Sequence, residues 1–493
     1  MGVEVSDPGT GSPELTAVLD TEEAGGIAIR GGALRLVGYG ASVLLSVVGV
    51  AAVTRHLGAA DYGRFSVVQS LVAIAAGIAE AGMINVGIRE YAVRTGAERD
   101  TMLANLQGIR VVLGAAGVVV ALVFGLLAGY DGTMLDGVVL VGAGVVIGAF
   151  QATLAIPLSA GLRWTAVTVL DLVRQGAQVA LFLALVATGA DLLPFFVVAI
   201  PASVLVLAAT LPLVRRIAPI RPRFDRAYWR ELLRLVAPYA AATAVGTIYV
   251  YVAAVLMELV STAAEVGYFA ASFRIFIVLG GIPLLLIGAV FPILARAARD
   301  DRRRHAYATE RLLATTVIGS AWLALMTAIL AKVGIDVVAG PKFADSVPVL
   351  RIQAIAVFAS GLLVASTHVL VSLARYRDVL ILSASALVAS VVLVLAFAPG
   401  MGAEGGALAN VGGESVSAIV GLALLVRAES GLRVPWATVG KVALAVAPAG
   451  AVALTSLPDI VVAAVATLVY AALLFILRAV PQELIDAIPG RGG

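Results

Sequence analysis

Fourteen apolar runs of about 20 residues follow one another from Ala33 almost to the end of the chain. Each can cross roughly 30 Å of hydrocarbon at ~1.5 Å per residue. In lipid every backbone polar group has to be satisfied internally, so such runs leave a helical membrane bundle as the available architecture. The runs are placed at 33–54, 65–86, 105–128, 137–158, 165–187, 193–214, 236–257, 266–294, 311–331, 347–373, 379–398, 403–426, 436–456 and 459–478. Composition agrees: the chain is 61% hydrophobic and 13% charged, with a mean hydropathy of +1.03. A soluble domain carries about 25% charged residues. The expected fold is an all-α integral membrane protein of about fourteen helices.

Residues 1–26 hold six acids and no Lys or Arg. They are expected to form a disordered tail rather than a cleaved signal, for want of a basic start and a short apolar core. Further along, the loops alternate in charge. Odd-numbered loops hold only Arg55, Arg64, Lys332 and Lys342, whereas even-numbered loops, the adjoining helix ends and the two termini hold twenty-seven Lys and Arg. The densest are Arg215–Arg234, with seven arginines, and Arg296–Arg311, with six. The positive-inside rule places both termini and the even loops in the cytoplasm of a cell-membrane protein. A kink is expected in the helix after Val266, which carries Pro283 and Pro292.

The chain also repeats itself. Ala59-Ala-Asp-Tyr-Gly-Arg-Phe-Ser66 returns 204 residues later as Ala263-Ala-Glu-Val-Gly-Tyr-Phe-Ala270. Acid, Gly and Phe recur in register, and at the same offset Arg30 falls on Arg234. A six-helix unit keeps its orientation when duplicated, so the halves should be parallel repeats about an axis along the membrane normal. The division expected is an N-lobe over 27–230, a C-lobe over 231–430, and two extra helices with a short tail over 431–493.

An ionisable group at the bilayer centre costs roughly 2.5–3.5 kcal/mol on insertion scales, so it normally faces a partner or a wet cavity. Asp171, Arg174, Gln175 and Gln178 form a polar stripe on the fifth helix. That stripe reads either as a wall for a phosphate, taken bidentately by the guanidinium, or as an Asp171–Arg174 pair that neutralises itself. Arg274, at mid-depth in the eighth helix, has no acid within a helical turn. Its partner is a cavity or ligand, or an acid such as Glu80 or Glu414 on another helix. Glu414 with Asn410, and more weakly Glu80, are candidates for proton or cation coupling or for helix-to-helix hydrogen bonding. Arg351 and Lys332 are read as snorkelling to the headgroups, and His368 as structural. No cysteine is present and the three histidines are scattered, so no thiolate or His-cluster metal site and no cofactor is expected.

Arg55-His-Leu-Gly-Ala-Ala-Asp-Tyr-Gly-Arg-Phe-Ser66, Glu265-Val-Gly-Tyr-Phe-Ala-Ala-Ser-Phe-Arg274, Phe291-Pro-Ile-Leu-Ala-Arg296, Gly340-Pro-Lys-Phe343 and Gly405-Gly-Ala-Leu-Ala-Asn410 stand in order along the chain. This pattern resembles the polysaccharide-exporter (Wzx-type flippase) branch of the multidrug/oligosaccharidyl-lipid/polysaccharide exporter superfamily. The resemblance implies movement of a lipid-linked oligosaccharide from the inner to the outer leaflet by alternating access, with the extra helices helping to house the lipid tail. It also implies membrane lipids and pathway glycosyltransferases or a polymerase as partners, and no nucleic acid. The expected site sets Arg174 and Arg274, one per lobe, in a shared cavity. Rival readings are a drug or organic-cation antiporter, a peptidoglycan-precursor flippase, and a membrane polymerase or glycosyltransferase of the same pathway. A cation site wants cavity acids, and the first helix has none but holds Arg35. An enzyme wants a large outer loop with paired carboxylates, and no Walker-type phosphate loop is present.

Overall fold

The computed structural model describes residues 23–429 and 431–480. The expected tail over 1–26 lies outside them except for its last four residues, which begin the first helix. Among the described residues twelve helices are long and apolar enough to cross a membrane, and two of them break at Gly58 and Gly402, which gives fourteen segments. They are α1 (23–57) and α2 (59–80), α3 (Gly96–Leu127), α4 (Gly132–Leu154), α5 (Trp164–Ala187), α6 (Leu192–Val197, continued by Ala199–Val214) and α7 (Arg226–Val260). There follow α8 (Ala263–Asp300), α9 (Arg302–Ile329), α10 (Ser346–Ser372), α11 (376–401) and α12 (403–428), α13 (Trp436–Ala451) and α14 (Asp459–Ile476). Short helices Met83–Val93, Ile156–Ala160 and Ala331–Val338 connect them. The described residues contain no β-strand.

Two of the expected loops are missing. Helices α1 and α2 join through Gly58 alone (φ 73°, ψ −178°), and α11 and α12 through Gly402 (φ 54°, ψ −126°). Positive φ costs glycine nothing, so a single residue redirects the helix without a loop. Conversely, α8 stays helical through Pro283 and Pro292.

In the first half α1 packs on α5, α3 on α4 and α4 on α6; in the second, α7 packs on the α11–α12 pair and α10 on α8, α9 and α11–α12. The α1–α2 pair carries the junction between lobes, packing against α7 and α8. Helices α13 and α14 attach to α9, where Val317, Ala321 and Leu325 meet Ala445, Val462 and Ala466.

Side-chain contacts sort the connections into two ends, as the charge alternation requires. At the basic end Arg94 reaches the Tyr228 hydroxyl (2.9 Å), Arg223 reaches Thr101 (3.2 Å), and the Gln107 amide donates to the Pro219 carbonyl (2.9 Å). At the far end His56 meets the Ala190 carbonyl (2.7 Å) and Arg64 lies 3.9 Å from Asp131. There too Glu265 accepts from the Ala403 amide (2.8 Å). Close to this far end sits the apolar cluster that draws on both lobes, with Tyr62, Phe65, Phe195, Phe196, Met257, Phe269 and Phe343 buried in it.

Candidate functional site: a cavity between the lobes

Between the lobes lies a cavity of about 320 Å³. From the N-lobe, α1 supplies Ser46, α2 supplies Tyr62, Ser66, Gln69 and Ser70, and α5 supplies Gln175 and Gln178. From the C-lobe, α7 supplies Tyr251 and α8 supplies Phe273 and Arg274. The Arg274 guanidinium donates to the Ser46 hydroxyl (2.6 Å), a bond that crosses from one lobe to the other. It is exposed to the cavity and makes no ion pair among the described residues. Of the residues expected at the site, Arg274, Gln175 and Gln178 line this cavity.

They part at Arg174. Neither Arg174 nor Asp171 lines this cavity. The two pair with each other at 3.4 Å, both more than half exposed. On a helix with 100° between residues, Gln175, Gln178 and Phe182 share one face, Arg174 falls on its flank, and Asp171 lies on that face but a turn short of the cavity lining. Rotation keeps Arg174 out of the void and depth keeps Asp171 out, and the two charges satisfy each other. The matched pair of arginines, one from each lobe, is therefore corrected to one guanidinium facing a wall of hydroxyls and amides. That wall was readable in part: Tyr62, Ser66, Gln69 and Ser70 recur at three- and four-residue spacing in an apolar run.

Glu414 and Asn410 come together in a second cavity, of about 350 Å³, inside the C-lobe. It also contains His368, Ser383 and Ser390, and shares Val250, Phe273 and Ile277 with the central cavity as a common partition. Glu414 Oε2 and Asn410 Nδ2 are buried without a hydrogen-bond partner among the described residues. The N-lobe position 204 residues earlier is Thr210, whose hydroxyl accepts from Gln151 (2.9 Å) and donates to the Val206 carbonyl (2.8 Å). The N-lobe counterpart is thus fully hydrogen-bonded, whereas Glu414 faces the Tyr249 phenol and keeps Oε2 unpaired among the described residues. Glu80 lies apart from both, in a groove at the basic end of the junction with Asn85, Thr243 and Thr247. Its charge faces Arg110, which is buried and donates to Thr153 (2.9 Å). Sequence reading counted Arg110 with the basic loops. Arg351 is exposed, and Lys332 pairs with Asp336 at 2.5 Å.

The repeated stretch closes the far end of the cavity. Gly63 backs onto Ala263 so closely that a Cβ there would lie 2.0 Å from the Ala263 carbonyl oxygen. A Cβ on Gly267 would lie 1.9 Å from the Ala59 carbonyl oxygen. Each repeat's glycine therefore seats on the other repeat's first alanine, a reciprocal contact about a local two-fold. Around it Thr54 donates to the Val338 carbonyl (2.9 Å), and Arg55 Nη2 donates to the carbonyls of Asp336 (2.8 Å) and Val337 (2.9 Å). Phe343 stands edge-on to Tyr62 and Tyr268, with ring centroids 6.0 Å away in each case.

Known structures share this architecture. "Lipid II flippase MurJ, inward closed conformation" superposes with a TM-score of 0.75 at 14% identity, over 92% of this chain and 99% of that one. An inward-facing multidrug resistance MATE family transporter of the MOP superfamily gives 0.62 at 15% identity, over 79% and 94%. An outward-facing one gives 0.56 at 14%, over 85% and 99%. No curated protein sequence matches the chain. A family model described as "Polysaccharide biosynthesis protein" matches residues 28–298, more than half of the 493. With its multi-pass helical bundle, its repeated lobes and a fold common to MOP-superfamily transporters, the chain belongs to the polysaccharide biosynthesis protein family.

Proposed function

We propose that this protein is a flippase for a polyprenyl-phosphate-linked oligosaccharide, carrying it from the cytoplasmic to the outer leaflet of the cell membrane for surface glycan synthesis. The observation that carries the reading is Arg274: a guanidinium held in an interlobe cavity, without a carboxylate, beside Ser46, Gln69, Gln175 and Gln178. A phosphate takes a guanidinium bidentately, and sugar hydroxyls both donate to and accept from amides and hydroxyls. An organic cation would be repelled by the same charge. The lipid tail stays in the bilayer, so only the polar head crosses.

In this reading the basic end faces the cytoplasm, the N-lobe spans 27–230 and the C-lobe 231–430. The sealed far end makes this the state in which cargo is loaded from the cytoplasm. Parting of Gly63 and Gly267 from their partners opens the cavity outward. A membrane potential negative inside favours outward transfer of an anion by about 2.3 kcal/mol per charge per 100 mV. Glu414 with Asn410 is the proposed coupling pair, each with a buried polar atom that has no hydrogen-bond partner among the described residues, in the cavity that adjoins the central one; Glu80, in its own groove at the basic end, is the weaker candidate. The chain supplies transport, and the chemistry before and after it belongs to partner glycosyltransferases and a polymerase.

The test is leaflet accessibility of a fluorescent polyprenyl-diphosphate oligosaccharide in proteoliposomes. Wild type should equilibrate the probe between leaflets and Arg274→Ala should not, at equal incorporation. Equal rates for the two would overturn the site. A peptidoglycan precursor moved faster than the oligosaccharide probe would replace the cargo assignment.

A further inference from the structure

Where the end of α8, the start of α9 and the end of α10 meet, a groove of about 470 Å³ opens at the basic end of the C-lobe. Arg296, Arg299, Arg302 and Ser372 line it, and it shares no residue with the central cavity. The apolar runs of α8 and α10 end beside it, at 294 and 373, so the groove sits just outside the hydrocarbon on the basic side. Positive charge at such a boundary fixes topology whatever its arrangement. Here three guanidinium groups border one concavity instead of spreading over a loop. Their counter-charges are slight. Arg299 lies 3.7 Å from its exposed neighbour Asp300, Arg302 reaches Glu429 only at 4.0 Å, and Arg296 makes no ion pair among the described residues.

The wall behind the arginines determines the charge they present. Glu429 and His305 are buried there, with Glu429 Oε2 2.6 Å from His305 Nδ1. On the other side of the ring, Nε2 lies 3.0 Å from the Ser372 hydroxyl. The Ser372 hydroxyl also lies 2.7 Å from the Val369 carbonyl, so Ser372, His305 and Glu429 form one hydrogen-bonded chain behind the groove. Asp301 is occupied as the N-cap of α9, accepting from the Arg303 (3.0 Å) and Arg304 (3.1 Å) amides. The groove therefore presents three guanidinium groups, while the nearby acids Glu429 and Asp301 are turned to His305 and to the α9 amides.

We propose that this groove is a phosphate-binding site for the headgroup of an anionic lipid of the basic-end leaflet. Planar guanidinium forks match phosphate oxygens, and the span ends set the groove at headgroup depth. The site is separate from the transport cavity, and the inference does not rest on the identity of the cargo.

The experiment uses the full-length protein in detergent, with thermal unfolding and native mass spectrometry as readouts. The probes are phosphatidylglycerol, phosphatidylcholine and inorganic phosphate. Phosphatidylglycerol should bind about tenfold more tightly than phosphatidylcholine, a difference of ~1.4 kcal/mol. An Arg296→Gln/Arg299→Gln/Arg302→Gln protein should lose that preference. The corresponding lysine triple, which keeps charge but not the fork, should retain part of it. A control in the other basic loop, Arg215→Gln/Arg216→Gln/Arg221→Gln, should keep all of it. An equal loss in the control would overturn the site in favour of general surface charge. A response to inorganic phosphate equal to that for phosphatidylglycerol would overturn the lipid assignment. Should the triple fail to fold, Arg296→Gln alone, which removes no ion pair, has to weaken phosphatidylglycerol binding, and unchanged binding would sink the proposal.

Discussion

The lobes touch at two depths along α2, and the two contacts are made of different material. At the far end Gly63 and Gly267 press on carbonyls of the opposite lobe, backbone on backbone, and the contact is made twice by the repeat. Fourteen residues further along α2, or roughly 21 Å at ~1.5 Å per residue, Gly77 meets only the side chain of Thr247, whose Cγ2 would lie 2.3 Å from an added Cβ. Thr247 Cγ2 can rotate away, but its Cβ, 2.8 Å from the added atom, moves only with its helix. The far contact, backbone on backbone and at 2.0 Å or less, is therefore the stiffer of the two and the deeper one the softer. That is the asymmetry a loading state needs: sealed firmly on one side and lightly on the other.

This difference can be broken most sharply at the glycines. Gly63→Val with Gly267→Val should force the far end apart. The chain has no native cysteine, so Ser66→Cys in the cavity wall becomes a clean reporter. Its labelling by an impermeant maleimide from the far side should rise about tenfold or more, the ratio that ~1.4 kcal/mol of population shift produces. Unchanged labelling in a folded protein would mean the seal lies elsewhere. Next in size, Arg274→Ala should slow transport by at least about tenfold and Arg274→Lys by less, because lysine keeps the charge and loses the fork. Rate assays at matched protein levels separate the two.

Glu414→Gln should leave the fold intact and flatten the response of transport to an imposed proton or sodium gradient. A gradient response as steep as wild type would reduce Glu414 to a helix-packing group. At the softer contact, Gly77→Ala should cost less than the far-end glycine changes, about two- to threefold, and Thr247→Ala, which removes Cγ2 and Oγ1 but keeps Cβ, should restore part of it. Failure of that rescue would show the deeper contact to be as rigid as the far one. The smallest effect belongs to Arg174→Ala, which should change transport by less than about twofold, since Arg174 answers to Asp171 and not to the cavity.

Legibility followed distance along the chain. Arg274 was readable because no acid lies within a helical turn of it, which obliges it to look outside its own helix. Arg174 misled because its own turn offers both a partner and a polar stripe, and only the rotation of α5 decides which of these it serves. Gly58 and Gly402 were placed in loops because a glycine with positive φ between two apolar runs reads the same whether it sits in a loop or alone makes the turn. The groove of Arg296, Arg299 and Arg302 was read as topology signal, since the buried His305–Glu429 pair behind it joins residues 124 positions apart.

What the sequence determined alone is the bundle, its expected orientation and its duplication. Apolar length, loop charge and internal repetition are one-dimensional quantities, and lipid penalises an unpaired backbone whatever the neighbours do. Tertiary packing decided which polar groups look into a shared void and which satisfy each other. It also decided that the repeated Ala-Ala-acid-x-Gly stretches meet face to face. Those outcomes depend on helix rotation and on the approach of one lobe to the other, set by side chains from both halves at once, and no single run of residues contains them.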